Sequence, residues 1–197
     1  AYDNAGNLAV SSSVEVNVDK PIITTPATYI KTWLLLGSFN NPDSNTRLSK
    51  DYSGKETTIT PTTGEIIDSK TWTSYTSPTD YIDPASVYGN QTEIASYANV
   101  YVNSSTNNSA ELWLGSDDGI AVWVNGIQST FKDESRDYTP DQNKLKIYLA
   151  KGWNQILIKI SNNTTQSYGF SAKICDSDGN EISGLTYQLT NPFTDTL

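Results

Sequence analysis

Between residues 110 and 160 the chain alternates. Leu112 and Leu114 alternate with Trp113, and Ile120, Val122 and Val124 alternate with Trp123. Leu145, Ile147 and Leu149 alternate with Lys146 and Tyr148, and Ile156, Ile158 and Ile160 with Leu157 and Lys159. In an extended strand successive side chains point to opposite faces, so each aliphatic set lines one face of a sheet. No helical period intervenes. Repeated short strands at this spacing predict an all-β protein, an antiparallel β-sandwich of jelly-roll type.

The links between these strands carry turn residues. Ser116-Asp117-Asp118-Gly119 lies between the first two strands. If both aliphatic sets share a face, a hairpin loop there must hold an odd number of residues. The three-residue loop Asp117-Asp118-Gly119 satisfies this, with Gly119 taking the left-handed position. That register sets Trp113 opposite Trp123, stacked on the face away from the aliphatic residues. Asn125-Gly126 marks a second tight turn, and Gly152-Trp153-Asn154 connects the next two strands. A last hairpin joins residues 168–175 to 185–189 through Asp176-Ser177-Asp178-Gly179-Asn180. Residues 94–102 read as a long strand. Residues 40–79 read as loop-rich, with short strands near 57–59 and 70–73.

The ends divide differently. Val14, Val16 and Val18 alternate with Glu15 and Asn17. Residues 1–20 resemble the tail strand of a preceding immunoglobulin-like domain. Residues 21–29, with Pro21 and Pro26 among threonines, read as a semi-stiff linker. Residues 30–197 form the main domain.

Composition limits the function. A formal net charge of −9 repels nucleic acid and anionic membranes. No apolar run is long enough for a helical membrane span. Cys175 has no partner in the sequence and reads as a small buried residue. The chain holds no Met, begins at Ala1 and is rich in Thr, Ser, Asn and Tyr; we expect a monomeric piece of a longer secreted or cell-surface protein. There is no histidine, which removes Ser-His-Asp and Cys-His catalysis and His-ligated zinc. The E-x-D-x-x-E spacing of laminarinase-like glycosidases is absent, and so is the Q-I-H signature of jelly-roll alginate lyases.

Several segments together resemble a known group. Trp33-Leu34-Leu35-Leu36-Gly37-Ser38-Phe39, Leu112-Trp113-Leu114-Gly115-Ser116-Asp117-Asp118-Gly119, Val122-Trp123-Val124-Asn125-Gly126 and Lys151-Gly152-Trp153-Asn154 resemble bacterial jelly-roll carbohydrate-binding modules. Such modules accompany secreted polysaccharide-degrading enzymes. The central S-D-D-G…V-N-G segment is also similar to the lectin-like domains named after anthrax protective antigen and to jelly rolls of β-galactosidases. The resemblance implies a non-catalytic domain that holds a polysaccharide for other domains of the same chain.

Sugars present C–H groups on one face and hydroxyls around the edge. Aromatic rings cover the first; Asp, Asn, Arg and Lys bond the second. Trp72 and Tyr75 in the first long loop region, Asp117 and Asp118 in the central turn, and Lys132, Arg136 and Tyr138 in the loop 132–138 are the candidate ligand-binding residues. Trp33, Trp113, Trp123 and Trp153 read as packing residues. Lys132 and Arg136 favour an anionic glycan such as xanthan or pectin. No cofactor is required, but the acidic balance admits a structural calcium. Asp176-x-Asp178-x-Asn180 starts like a calcium loop, yet lacks the distal glutamate and reads as a turn. The rival reading is a structural or adhesive spacer of a cell-surface protein; a glycosidase or lyase is a third.

Overall fold

The computed structural model describes residues 25–163 and 167–193. The strands are β1 (Thr32–Asn40), β2 (Ile66–Ile67), β3 (Lys70–Thr71), β4 (Thr73–Thr76), β5 (Ile94–Ser104), β6 (Asn108–Asp117), β7 (Ile120–Val124), β8 (Ile127–Lys132), β9 (Asn143–Leu149), β10 (Gly152–Asn162), β11 (Gly169–Cys175) and β12 (Leu185–Gln188). A single helical turn, α1 (Ala85–Tyr88), follows Pro84. One sheet runs β4-β1-β5-β10-β7-β8, a second runs β11-β6-β9, and β2 pairs with β3 alone. Every pairing is antiparallel. The expected antiparallel β-sandwich is the fold of this chain.

β5 is the spine of the large sheet. β10 pairs along its whole length, from Ile94 opposite Asn162 to Ser104 opposite Gly152. Its other edge is shared: β1 takes the first half and β12 the second, through Leu185–Gln188. Between the two sheets lie Leu112 and Leu114 of β6, Val122 of β7, Ile156 and Ile158 of β10, and Phe170 of β11, all buried. All but Phe170 are the alternating aliphatic positions, so the alternation did identify the core face.

It did not identify the partners. β6 belongs to the small sheet and β7 to the large one, so Asp118-Gly119 is a crossing between layers and not a hairpin loop. Trp113 and Trp123 therefore sit on opposite outer faces of the sandwich, and the expected stack does not form. The links β9 to β10 and β11 to β12 also change sheet. Alternation fixes which face is apolar, and two facing sheets share one apolar interior; the parity rule holds only within one sheet. Gly119 is needed for another reason than a left-handed backbone. Its amide neighbour Asp118 N donates to Ser161 O (3.1 Å), and Ser161 N donates to Gly119 O (2.9 Å). A Cβ on Gly119 would lie 2.6 Å from Ser161 Oγ. The Asn125-Gly126 turn is as expected: φ values of 50° and 77° close β7 onto β8 in a two-residue hairpin.

A second apolar cluster covers the outer face of the large sheet. The long excursion after β1 folds back over it, burying Leu34, Leu36, Leu48, Ile59, Trp72, Tyr97, Trp123 and Leu157. Lys159, at an outward position of β10, is 0% exposed beneath it. Its ammonium donates to Glu56 Oε1 (2.5 Å) and Lys50 O (2.9 Å). The rings of Trp123, Tyr97 and Tyr52 lie 5.3, 5.6 and 5.9 Å away. Cation–π attraction and the ion pair together clamp the excursion to the sheet.

The expected tail strand over 1–20 lies outside the described residues. The described part of the 21–29 segment runs along the domain: Ala27 N donates to Gly179 O (3.0 Å) and Glu181 N to Thr25 O (2.7 Å). The Asp176 side chain closes the neighbouring turn, accepting from the amides of Asp178 (2.9 Å) and Asn180 (2.8 Å). That is the turn-forming role expected of it. Cys175 is buried and unpaired, and burial pushes its thiol up to about 11.

Candidate functional site

At one end of the sandwich β6 crosses to β7, β10 ends at Asn162 and β5 begins at Ile94. Asp118 organises this end. It is 3% exposed. Its Oδ1 accepts from Ser135 Oγ and from Arg136 N, both at 3.0 Å, and its Oδ2 accepts from Asn163 N at 2.8 Å. One carboxylate thus ties the segment after β8 and the segment after β10 to the layer crossing. The Asp117–Asp118 peptide bond is cis. Arg136 donates from Nε to Asp118 O (3.3 Å) and from a terminal nitrogen to Ser116 Oγ (2.6 Å). Glu134 lies 3.5 Å from its guanidinium.

Arg47, only 2% exposed, braces the opposite wall. Its Nε donates to Asn41 O (2.7 Å), and its terminal nitrogens donate to Pro42 O and Asn163 Oδ1. Between these walls opens a cleft of about 430 Å³, lined by Asn45, Arg47, Glu93, Asp133, Ser135 and Asn163 among others. Beside the Asp117 end of β6, Tyr138 and Tyr81 pack edge to face with centroids 4.6 Å apart. Glycines let them lie directly on the small sheet. A Cβ on Gly115 would fall 2.9 Å from the Tyr138 ring, and one on Gly169 would fall 2.8 Å from the Tyr81 ring.

Asp117 is half-buried beside these rings. Burial, and then the charges of Asp118 and Asp137, push its carboxyl up to about 6. The raised value means the folded state favours the protonated form. Stability from this group is complete below the ordinary carboxylate range and is lost as pH rises through 6. Asp117→Asn, which keeps the shape and removes the charge, is therefore expected to melt higher than the native protein at pH 8. The gap should close towards pH 4, as thermal melts across that range will show.

Of the sequence candidates, the structure brings Asp117, Asp118, Arg136 and Tyr138 to one end of the sandwich. Lys132 closes β8 next to Asp133 of the cleft, with an exposed side chain. The two candidates from the first long loop region do not join them. Trp72 is 1% exposed and packed under the excursion, its ring centroid 6.5 Å from that of Tyr97. Tyr75 sits on β4 opposite Trp33 and packs against the main core. Arg47, Glu93 and Asn163 were not legible as site residues; they come from three segments far apart in sequence. Among the described residues no three His, Cys, Asp or Glu side chains converge as metal ligands.

The fold and this end define an antiparallel jelly-roll sandwich with a loop-built polar cleft. No protein-family model and no curated protein matches the chain. Among solved structures it is similar to the A domain of epithelial adhesin 9 from Candida glabrata. The complex with Galβ1-4GlcNAc gives a TM-score of 0.45 at 12% identity, over 87% of this chain and 97% of that one. The complex with Galβ1-3GlcNAc gives 0.43 at 12% identity, over 86% and 97%. The expectation of a bacterial module accessory to a polysaccharide-degrading enzyme is corrected by this comparison, which returns a fungal adhesin domain instead.

Proposed function

We propose that this chain is an adhesin-type lectin domain of an extracellular or cell-surface protein, holding a glycan in the cleft at the Asp117–Asp118 end without cleaving it. The observation that carries this reading is the cleft itself. Three segments are fastened around the buried Asp118, leaving the amide, hydroxyl and carboxylate groups of Asn45, Asn163, Ser135, Glu93 and Asp133 on a fixed frame. Such a frame suits sugar hydroxyls, and its bonds are made before a ligand arrives, which lowers the ordering cost of binding. One copy of the chain carries the whole cleft, so a monomer suffices.

A neutral glycan fits better than the anionic one expected from Lys132 and Arg136. The Arg136 guanidinium is engaged by Asp118, Ser116 and Glu134, and Glu93 and Asp133 line the cleft. Galβ1-4GlcNAc and Galβ1-3GlcNAc, the sugars of the two adhesin complexes, are the first ligands to try. Calorimetric titration with these and with neutral and anionic polysaccharides is expected to give saturable binding to a neutral sugar, weakened at least tenfold in Asp133→Asn, a lining residue, and in Asp117→Asn, next to the buried Asp118. A structural calcium would have to be held mainly by amide and backbone oxygens, since among the described residues no three carboxylates converge. Binding lost in chelator and restored by calcium would support it. Absence of binding to every glycan would leave the spacer reading, and new reducing ends after incubation would leave the enzyme reading.

A further inference from the structure

The opposite end of the sandwich carries a second cleft of different chemistry. It has a volume of about 320 Å³ and is bordered by Trp153 of β10, Phe193, the Asn125-Gly126 turn, and Thr57 and Thr60 of the excursion. β10 runs from this end to Asn162 at the other, so the two clefts lie roughly 30 Å apart along the strand.

Trp153 departs from its expected packing role. It is half-buried, not buried, while Phe193 is exposed at 48% and anchored edge to face on Tyr101. The indole N–H of Trp153 and the hydroxyls of Thr57 and Thr60 make no hydrogen bond among the described residues. The walls are rigid. Asn125 and Gly126 hold left-handed backbone, and a Cβ on Gly126 would collide with the Thr57 carbonyl, so the turn and the excursion lie in direct contact. The Asn125 side chain is fixed by Gln155 N (2.8 Å) and Asn154 Oδ1 (2.9 Å).

No Asp, Glu, Lys or Arg lines this cleft, in a chain with a formal charge of −9. Its surroundings are aromatic faces with hydroxyl and amide groups at their edges. A charged ligand would find no counter-charge there, and a purely apolar one would strand the amides and hydroxyls away from water. A neutral sugar ring satisfies both, its C–H face on an aromatic ring and its hydroxyls on threonine and amide groups. We propose that this cleft is a second carbohydrate site, selective for an uncharged pyranose and independent of the Asp117 end.

The test follows the five tryptophan indole N–H signals by NMR, with that of Trp153 assigned from Trp153→Phe. Cellotetraose, mannotetraose and Galβ1-4GlcNAc are titrated into the native protein, Asp117→Asn and Thr58→Glu. The expected result is a saturable shift of the Trp153 signal with one of these sugars, equal in native and Asp117→Asn. Thr58 also lines this cleft and is exposed, so Thr58→Glu puts a carboxylate at the rim and should weaken the shift at least tenfold without changing the melting temperature. A Trp153 signal unmoved by all three sugars overturns the proposal. So does a shift abolished by Asp117→Asn or unaffected by Thr58→Glu. A Trp153 shift with no binding at the Asp117 end would leave this site standing and remove the other.

Discussion

Glu56→Ala should lower folding stability by about 3–5 kcal/mol, the cost of leaving a buried charge without its partner. Lys159 has no route to water, and after the change its ammonium would retain only the Lys50 carbonyl and three ring faces. Tyr97, which donates to Glu56 Oε1 at 2.6 Å, would lose its acceptor as well. Burial pushes the Glu56 carboxyl up and the Lys159 ammonium down, in each case outweighing the attraction between them. The pair is therefore costly to break and also costly to hold. A Glu56→Leu, Lys159→Met double variant should regain most of the loss, because packed apolar groups need no partner. Denaturant unfolding of the native, single and double variants will decide this. A single variant as stable as the native protein would show that water reaches the ammonium.

Trp72→Ala should cost a similar amount, about 3–5 kcal/mol, from the cavity left by a buried indole. Glycan affinity at the Asp117 end should stay within twofold at a temperature where the variant remains folded. Trp72 packs with Tyr97 and the excursion, away from the cleft. Chemical denaturation and calorimetric titration of the same sample separate the two effects. Unchanged stability together with lost binding would return Trp72 to the ligand.

The sequence revealed faces more readily than partners. Leu112, Val122 and Ile158 were legible as core because a period of two is a local signal. That β6 pairs with β11 and β9 was not, because a two-residue link can either reverse a strand or carry it to the facing sheet. Lys159 and Trp72 mislead for one shared reason. Each lies on the outer side of the large sheet, and only the excursion over residues 41–65 turns that side into a second interior. The end that carries the cleft was legible through Asp117, Asp118, Arg136 and Tyr138, which lie in two turn-rich segments that the fold joins, but the lining residues of the cleft were not. Arg47 and Asn163 gave no local signal, since their role comes from meeting across the cleft.

The position of residues 25–27 bears on how the domain would carry a load. They join the sandwich beside Gly179, past the Cys175 end of β11. Asp117 lies at the other end of that ladder, opposite Gly169. A pull between a ligand held near Asp117 and the backbone at Thr25 would run parallel to the strands. The ladder between β6 and β11 would then be sheared, its hydrogen bonds sharing the force and failing together, instead of being peeled apart one at a time.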